Sequence, residues 1–259
     1  MFVGELETAV AAARAAGEVL HRYLSQGITV RYKGPVDLVT QADVEAERVI
    51  TGMLREAYPT YGFLAEEGGR SEGESDARWI IDPLDGTTNY AHGFPAFAVS
   101  IALQRAGEVV AGVVYDPVRD ELFAAQRGQG ATLNGQPLRV SETQELGRAL
   151  LATGFPYDLG KLPAALELFG QFVAATQGVR RAGSAALDVC YVAAGRLDGY
   201  YERGIWAWDI AAGSLILTEA GGTVSDFRGG PLDIEGREMV ATNGPLHPQV
   251  VEITGGASA

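Results

Sequence analysis

Two aspartates three positions apart, Asp82 and Asp85, stand in the run Trp79-Ile80-Ile81-Asp82-Pro83-Leu84-Asp85-Gly86-Thr87-Thr88-Asn89. The apolar residues before them read as a buried strand, which Pro83 and Gly86 are expected to break and bend. Two carboxylates free to converge at a strand end, with two Thr hydroxyls beside them, can hold a hard cation such as Mg²⁺, which takes oxygen ligands. Taken alone, an Asp-x-x-Asp pair reads first as a solvated surface turn. Other acidic residues at element ends bear on the choice: Glu66 and Glu67 follow a strand-like segment, Asp209 opens a helix, and Asp43 lies in the first turn of another. If Glu66, Asp82, Asp85 and Asp209 met in one cleft, their charges would repel and raise their pKa values. Two or three Mg²⁺ ions would balance them, giving a site suited to phosphate-ester hydrolysis, where paired metals clamp the attacking and leaving oxygens. Each segment also has a plainer reading: Glu66-Glu67 as solvated loop charges, Asp209 as a carboxylate favoured by the helix dipole. Spacing alone does not bring them together.

The chain around these residues has 259 positions, 47% hydrophobic and 20% charged, as expected of one large globular domain or two moderate ones. A net charge of −13 disfavours nucleic-acid binding, which needs a basic surface. It leaves an anionic substrate open if metal ions supply local positive charge. The single cysteine, Cys190, excludes an intramolecular disulfide and fits a cytoplasmic location. No apolar run approaches the roughly 18 residues of a membrane span, so no membrane partner is expected.

The elements that must position the carboxylates follow from periodicity. Leu6, Val10, Ala13, Gly17, Leu20 and Leu24 mark an amphipathic helix ending near Gln26-Gly27. Residues 28–33 alternate as a strand before a Gly34-Pro35 turn. Thr40, with Asp43 three residues on, caps a helix whose apolar face is expected to hold Val44, Ile50, Met53, Leu54 and Ala57. Residues 61–64 form a strand and 70–76 a surface loop. Strands over 96–104, 109–115, 121–125 and 131–133, with short turns between them, make an antiparallel meander. Beyond residue 147 strands at 149–153, 179–180, 198–201 and 239–242 alternate with helices at 162–176, 184–194, 206–220 and 245–253. The fold class is α/β: an α+β half over 1–145 that holds most candidate metal ligands, then an α/β half over 146–259 that holds Asp209.

The opening run, extended to Tyr90, resembles the first signature of the inositol monophosphatase family. Trp208-Asp209-Ile210-Ala211-Ala212-Gly213, followed by Glu219-Ala220-Gly221-Gly222, resembles the second. Asp37-Leu38-Val39-Thr40-Gln41-Ala42-Asp43 and Ala65-Glu66-Glu67 match two further family segments in order. The resemblance implies an alternating α-β-α-β-α sandwich, usually a homodimer, that hydrolyses small phosphate monoesters with Mg²⁺ and without a phospho-enzyme. By the same resemblance Glu66, Asp82 and the Leu84 carbonyl are ligands of one ion. Asp82, Asp85 and Asp209 hold a second, and Glu66 contributes to a third. Thr87 and Glu66 would orient the attacking water, Asp43 would support Thr87, and the Gly86 and Thr87 amides would face the phosphate. Gly183, Ser184, Ala185 and Glu202 resemble substrate contacts; as a residue, Glu202 can also be a solvated strand-end charge.

Thr88 stands where branches acting on adenosine 3′,5′-bisphosphate or histidinol phosphate commonly carry Lys, which favours inositol 1-phosphate as substrate. Fructose 1,6-bisphosphate, alone or as a second substrate, is the alternative; a regulatory binding protein of the same fold is a further one. Arg180 and Arg181 could serve a second phosphate or pair with surface carboxylates. Lys33 stands near a family Lys but at shorter spacing. His21, His92 and His247 show no metal spacing and carry no assigned chemistry; Cys190 is expected in the core, and Trp206 and Trp208 at a helix start.

Overall fold

The computed structural model describes residues 3–26, 30–32 and 38–256. Lys33, the Gly34-Pro35 turn and Asp37 lie outside the described residues, as does the start of the strand expected from residue 28.

Helices α1 (Val3–Gln26) and α2 (Gln41–Ala57) form an outer layer, preceded on the α2 side by the small antiparallel pair β1 (Val30–Tyr32) and β2 (Leu38–Thr40). They pack on an eight-stranded sheet made of β3 (Gly62–Ala65), β4 (Gly69–Ser71), β5 (Ala77–Asp85), β6 (Ala98–Arg105), β7 (Glu108–Asp116), β8 (Glu121–Gln126), β9 (Ala131–Leu133) and β10 (Gln136–Pro137). Its order is β10-β9-β8-β7-β6-β5-β3-β4, antiparallel except for the parallel pair β3/β5. A second sheet holds β11 (Leu150–Thr153), β12 (Gly178–Arg180), β13 (Gly199–Arg203), β14 (Thr223–Ser225) and β15 (Glu238–Thr242), in the order β12-β11-β13-β15-β14. Between the sheets lie α5 (Ala185–Ala193) and α6 (Ala207–Glu219); α4 (Leu162–Ala175) and α7 (His247–Gly255) cover the far face. This is the five-layer α-β-α-β-α sandwich expected.

The central layer explains itself through composition. Ile210, Ala211, Leu215, Ile216 and Leu217 of α6 are all buried, so α6 is apolar on every side, as a helix enclosed by two sheets must be. Each such Leu or Ile contributes about 1.5–3 kcal/mol when fully buried. The packing is close enough to exclude side chains: a Cβ on Gly112 of β7 would lie 2.8 Å from the Ala212 carbonyl oxygen. That contact fixes the height of α6 over the sheet, and with it Asp209.

Several expectations are corrected. Residues 70–76 are not wholly loop, because Gly69–Ser71 pairs with β3 as an edge strand. Val44 is 55% exposed and Ala57 is exposed; the buried stripe of α2 is Ala42, Asp43, Ala46, Glu47, Ile50 and Leu54, which the helical period aligns. Pro83 does not break the strand: β5 runs on through Asp85. A short helix α3 (Thr87–Ala91) and strand β14 had no distinct sequence signal.

Candidate active site

Asp82 pairs in register with Ser100 and Asp85 with Ala98, so three steps on β5 match two on β6. The extra residue is a β-bulge, and it accounts for the site. In a regular strand residues three apart face opposite ways; with one residue absorbed, both carboxylates face the same cleft. Pro83, which has no N–H to give a ladder, suits that place. The Leu84 N–H donates instead to Asp82 Oδ1 at 2.9 Å. Gly86 then turns the chain at φ 96, where a Cβ would meet the Ala96 carbonyl oxygen at 2.9 Å and the Gly183 carbonyl oxygen at 3.2 Å.

Two helices of the central layer bring the remaining groups. Asp85 Oδ2 accepts from Ser184 Oγ at 2.6 Å and from the Ala186 N–H at 2.7 Å, which docks the start of α5 on β5. Asp209, in the first turn of α6, accepts from the Trp206 N–H at 2.8 Å. One carboxylate oxygen from each of Asp82, Asp85 and Asp209 lies within 4.8 Å of the others. Burial pushes Asp82 well above the usual carboxylate range, and Glu66, Asp85 and Asp209 push it further. Asp209 is raised by burial and by Asp85. Asp85 rises by burial to about 6, although the Ser184 and Ala186 hydrogen bonds pull it down. An all-oxygen set of mutually repelling carboxylates fits a hard divalent cation, which would relieve the repulsion.

Beside this cluster a hydroxyl is held in place. Thr87 Oγ1 lies 3.0 Å from Asp43 Oδ1 and 3.0 Å from the Leu84 carbonyl oxygen. Asp43 is itself secured, its Oδ2 accepting from the Thr40 N–H at 2.9 Å and the Thr40 hydroxyl at 2.5 Å. Burial raises Asp43 to about 6 against the pull of those hydrogen bonds. Glu66 lines the same cleft, just past the end of β3, and its N–H donates to the Ile81 carbonyl at 3.2 Å.

A model of the inositol monophosphatase family matches residues 5–257. The chain belongs to the inositol monophosphatase family. It is 50% identical over 242 residues to the inositol-1-monophosphatase of Mesorhizobium japonicum, covering 92% of this chain and 91% of that one. It is 49% identical over 246 residues to the Nus factor SuhB of Pseudomonas aeruginosa, with the same coverage. Among solved structures, the extragenic suppressor protein suhB from Bartonella henselae superposes with a TM-score of 0.93 at 44% identity, covering 97% of this chain and 98% of that one. The chain is accordingly a phosphatase, of a metal-dependent family that acts on small phosphorylated substrates.

This family member brings together almost all the residues that its sequence singled out. Glu66, Asp82, Leu84, Asp85, Gly86, Thr87, Gly183, Ser184, Ala185, Glu202 and Asp209 line one cleft, with Asp43 buried behind Thr87. Glu202 is no solvated charge: its carboxylate accepts from the Tyr200 hydroxyl at 2.5 Å, and burial pushes it up to about 7. Arg181 lines the cleft, and Arg180, exposed, does not. His21 bonds the Pro117 carbonyl oxygen and His247 bonds Thr242 and Ser225, so both are structural, while His92 is exposed. Cys190 is buried, and burial raises its thiol well above the ordinary value. Trp206 stacks on Trp208 with centroids 5.0 Å apart, and both border the cleft.

Sequence reasoning passed over two carboxylates. Glu47 Oε2 accepts from the Glu67 N–H at 2.8 Å and so secures the loop that delivers Glu66. Its signal was its place four residues after Asp43, on the same buried helix face. Asp188 lines the cleft from α5. Its signal was a charge inside an otherwise apolar helix pattern.

Proposed function

We propose that this phosphatase hydrolyses inositol 1-phosphate with Mg²⁺, by direct attack of water and without a phospho-enzyme. The observation that carries the reading is the convergence of Asp82, Asp85 and Asp209 beside the Thr87–Asp43 pair. Glu66, Asp82 and the Leu84 carbonyl would hold one ion; Asp82, Asp85 and Asp209 would hold a second, and Glu66 a third. When bound, Mg²⁺ supplies positive charge to the phosphate oxygens and acidifies water. The chain's own groups do the aiming. With its proton committed to Asp43, the Thr87 hydroxyl keeps lone pairs to accept from a water, and Glu66 accepts that water's second proton. The Gly86 and Thr87 amides, at the bend, face the phosphate. Gly183, Ser184, Ala185 and Glu202 contact the cyclitol. The raised pKa of the buried Cys190 thiol supports water rather than a thiolate as nucleophile.

Assay of the purified protein with Mg²⁺ against inositol 1-phosphate, fructose 1,6-bisphosphate, adenosine 3′,5′-bisphosphate and histidinol phosphate tests the reading. The highest kcat/KM is expected for inositol 1-phosphate, with loss of turnover in EDTA and in Asp82→Asn or Asp209→Asn. Wild-type rates in Asp82→Asn would overturn the metal assignment.

Arg181 favours a second reading. Its guanidinium lies 6.0 Å from the Phe155 ring centroid at the cleft and, among the described residues, makes no ion pair. A cation so placed suits the distal phosphate of fructose 1,6-bisphosphate, and Arg181→Ala would then lose that activity selectively. Relatives named Nus factor SuhB support a further role in transcription complexes; recovery of transcription factors on an inactive Asp209→Asn bait would support it. A homodimer is proposed as well, consistent with the exposed Leu166 and Val173 on α4, and sedimentation tests it. No helix is long and apolar enough to cross a membrane among the described residues. With a single cysteine, this is compatible with the cytoplasmic location we propose.

A further inference from the structure

The carboxylates of the cleft differ in one respect. Asp82 accepts from the Leu84 N–H, Asp85 from Ser184 and Ala186, Asp209 from the Trp206 N–H, and Glu202 from the Tyr200 hydroxyl. Asp188 is only 2% exposed, yet among the described residues burial and neighbouring charges act on its carboxylate and no hydrogen-bond donor does. It sits in the first turn of α5 among the buried Leu187, Val189 and Cys190, where the helix dipole favours a carboxylate but no side chain packs to gain from one. Buried polar groups nearly always have a partner; the fully enclosed polar atoms without one are those of Trp79, Tyr201 and Arg237 among the described residues, so the Asp188 oxygens open onto the cleft instead. Its surroundings make the absence more pointed. Asp85 and Glu202, on the neighbouring elements, face it with like charge, and the cation near it is Arg181. Arg181 lies over Phe155 rather than in an ion pair with Asp188. Asp188 lines the cleft together with Ser184 and Glu202.

We propose that Asp188 is a specificity-determining residue, forming with Glu202 a paired-carboxylate subsite that receives hydroxyl groups of a polyol phosphate. The inference rests on the polyol-phosphate reading above and deepens it. Glu202 has its Tyr200 donor already and offers its remaining lone pairs; Asp188 has both oxygens to offer. Two neighbouring acceptors suit two hydroxyls of one ring, and a hydroxyl donating to Asp188 supplies the partner the fold withholds. A monoester without hydroxyls cannot do so.

The test compares wild type, Asp188→Asn and Asp188→Ala on inositol 1-phosphate, glycerol 2-phosphate and p-nitrophenyl phosphate, which carries no hydroxyl, alongside thermal melts. For Asp188→Asn, KM for inositol 1-phosphate is expected to rise about tenfold, the loss of a charge-assisted hydrogen bond. Its ratio of kcat/KM for inositol 1-phosphate to that for p-nitrophenyl phosphate should fall about tenfold. Its melting temperature should hold or rise, because the amide is isosteric and removes an unpaired charge. Asp188→Ala should lose polyol discrimination at least as strongly. A parallel fall on all three substrates, an unchanged KM for inositol 1-phosphate, or a variant that melts earlier or fails to fold would each overturn the proposal, the last by showing a structural role. The wild-type arm separates the two levels. If wild type cleaves p-nitrophenyl phosphate but neither polyol phosphate, the substrate reading itself fails and takes this inference with it. If wild type prefers the polyols and Asp188→Asn does too, only the Asp188 assignment fails.

Discussion

Thr87 Oγ1 is 3.0 Å from Asp43 Oδ1, and that aspartate hangs from α2 through its own bonds to Thr40. One hydroxyl proton has two acceptors here, Asp43 and the Leu84 carbonyl. Whatever engages Leu84 leaves Asp43 as the acceptor and turns the Thr87 lone pairs outward. Removing the hydroxyl by Thr87→Val should lower kcat by about 10²–10⁴, the range for a positioned proton-transfer group, with little change in KM. Steady-state kinetics on inositol 1-phosphate check this. A change confined to KM would mean that Thr87 binds substrate rather than aiming water.

Asp43 gives the site a pH dependence of predictable sign. Burial lifts its pKa to about 6, and Asp85 likewise to about 6. A carboxylate whose folded pKa lies above its unfolded value binds its proton more tightly when folded. Its contribution to stability is therefore full below about pH 4 and is lost as pH rises through about 6. In EDTA the protein should melt several degrees higher at pH 5 than at pH 7.5, against the usual expectation for salt-bridged carboxylates. Activity with Mg²⁺ should move the opposite way, falling toward acid pH as Asp43 takes up a proton and becomes a weaker acceptor for Thr87. A metal-free melting temperature that climbs from pH 5 to 7.5 would contradict the burial of these groups.

The same repulsion predicts how metal and mutation trade against each other. Asp82 and Asp209 are each raised by burial and by the other carboxylates of the cluster. Neutralising one, in Asp209→Asn, should raise the melting temperature in EDTA while removing most of the stabilisation that Mg²⁺ gives wild type. Wild type should gain a few degrees on saturation with Mg²⁺, because ligand binding to the folded state alone shifts stability by mass action. Melts of both proteins with and without Mg²⁺ settle the matter. A destabilised Asp209→Asn would contradict the repulsion among these carboxylates.

Most of this architecture could be read from the sequence, for identifiable reasons. Helices α1 and α2 and the strands of the meander announce themselves through period and turn residues, and the carboxylates through their place at element ends. What the sequence withheld were relations set by tertiary contact. Pro83 reads as a strand breaker, but pairing with β6 holds β5 together and turns the irregularity into a bulge. Val44 looks like a core residue until α2 is docked, when Asp43 and Glu47 take the buried stripe instead. Buried acids there run against the hydrophobic pattern because each has a distant N–H or hydroxyl to serve. Asp188 does break the apolar pattern of its helix, but what gives it meaning, its place on the cleft beside Glu202, is a relation that only folding makes.

Glu47 offers the last prediction, at one remove from the reacting atoms. It lies one turn after Asp43, so a single face of α2 steadies both the Thr87 hydroxyl and the loop carrying Glu66. The loop approaches closely: a Cβ on Gly68 would lie 2.6 Å from Glu47 Oε1. Glu47→Ala should remove the acceptor for the Glu67 N–H and let the loop move, lowering kcat about 10-fold or more, as small displacements of positioned groups do. Glu47→Gln keeps an acceptor oxygen at the same reach and should recover most of the rate. Gly68→Ala should mimic Glu47→Ala by pushing the carboxylate off the Glu67 N–H. The three variants, measured for kcat, KM and Mg²⁺ dependence, separate positioning from bulk stability. Equal losses in Glu47→Ala and Glu47→Gln would assign the effect to the charge of Glu47 and not to the loop it holds.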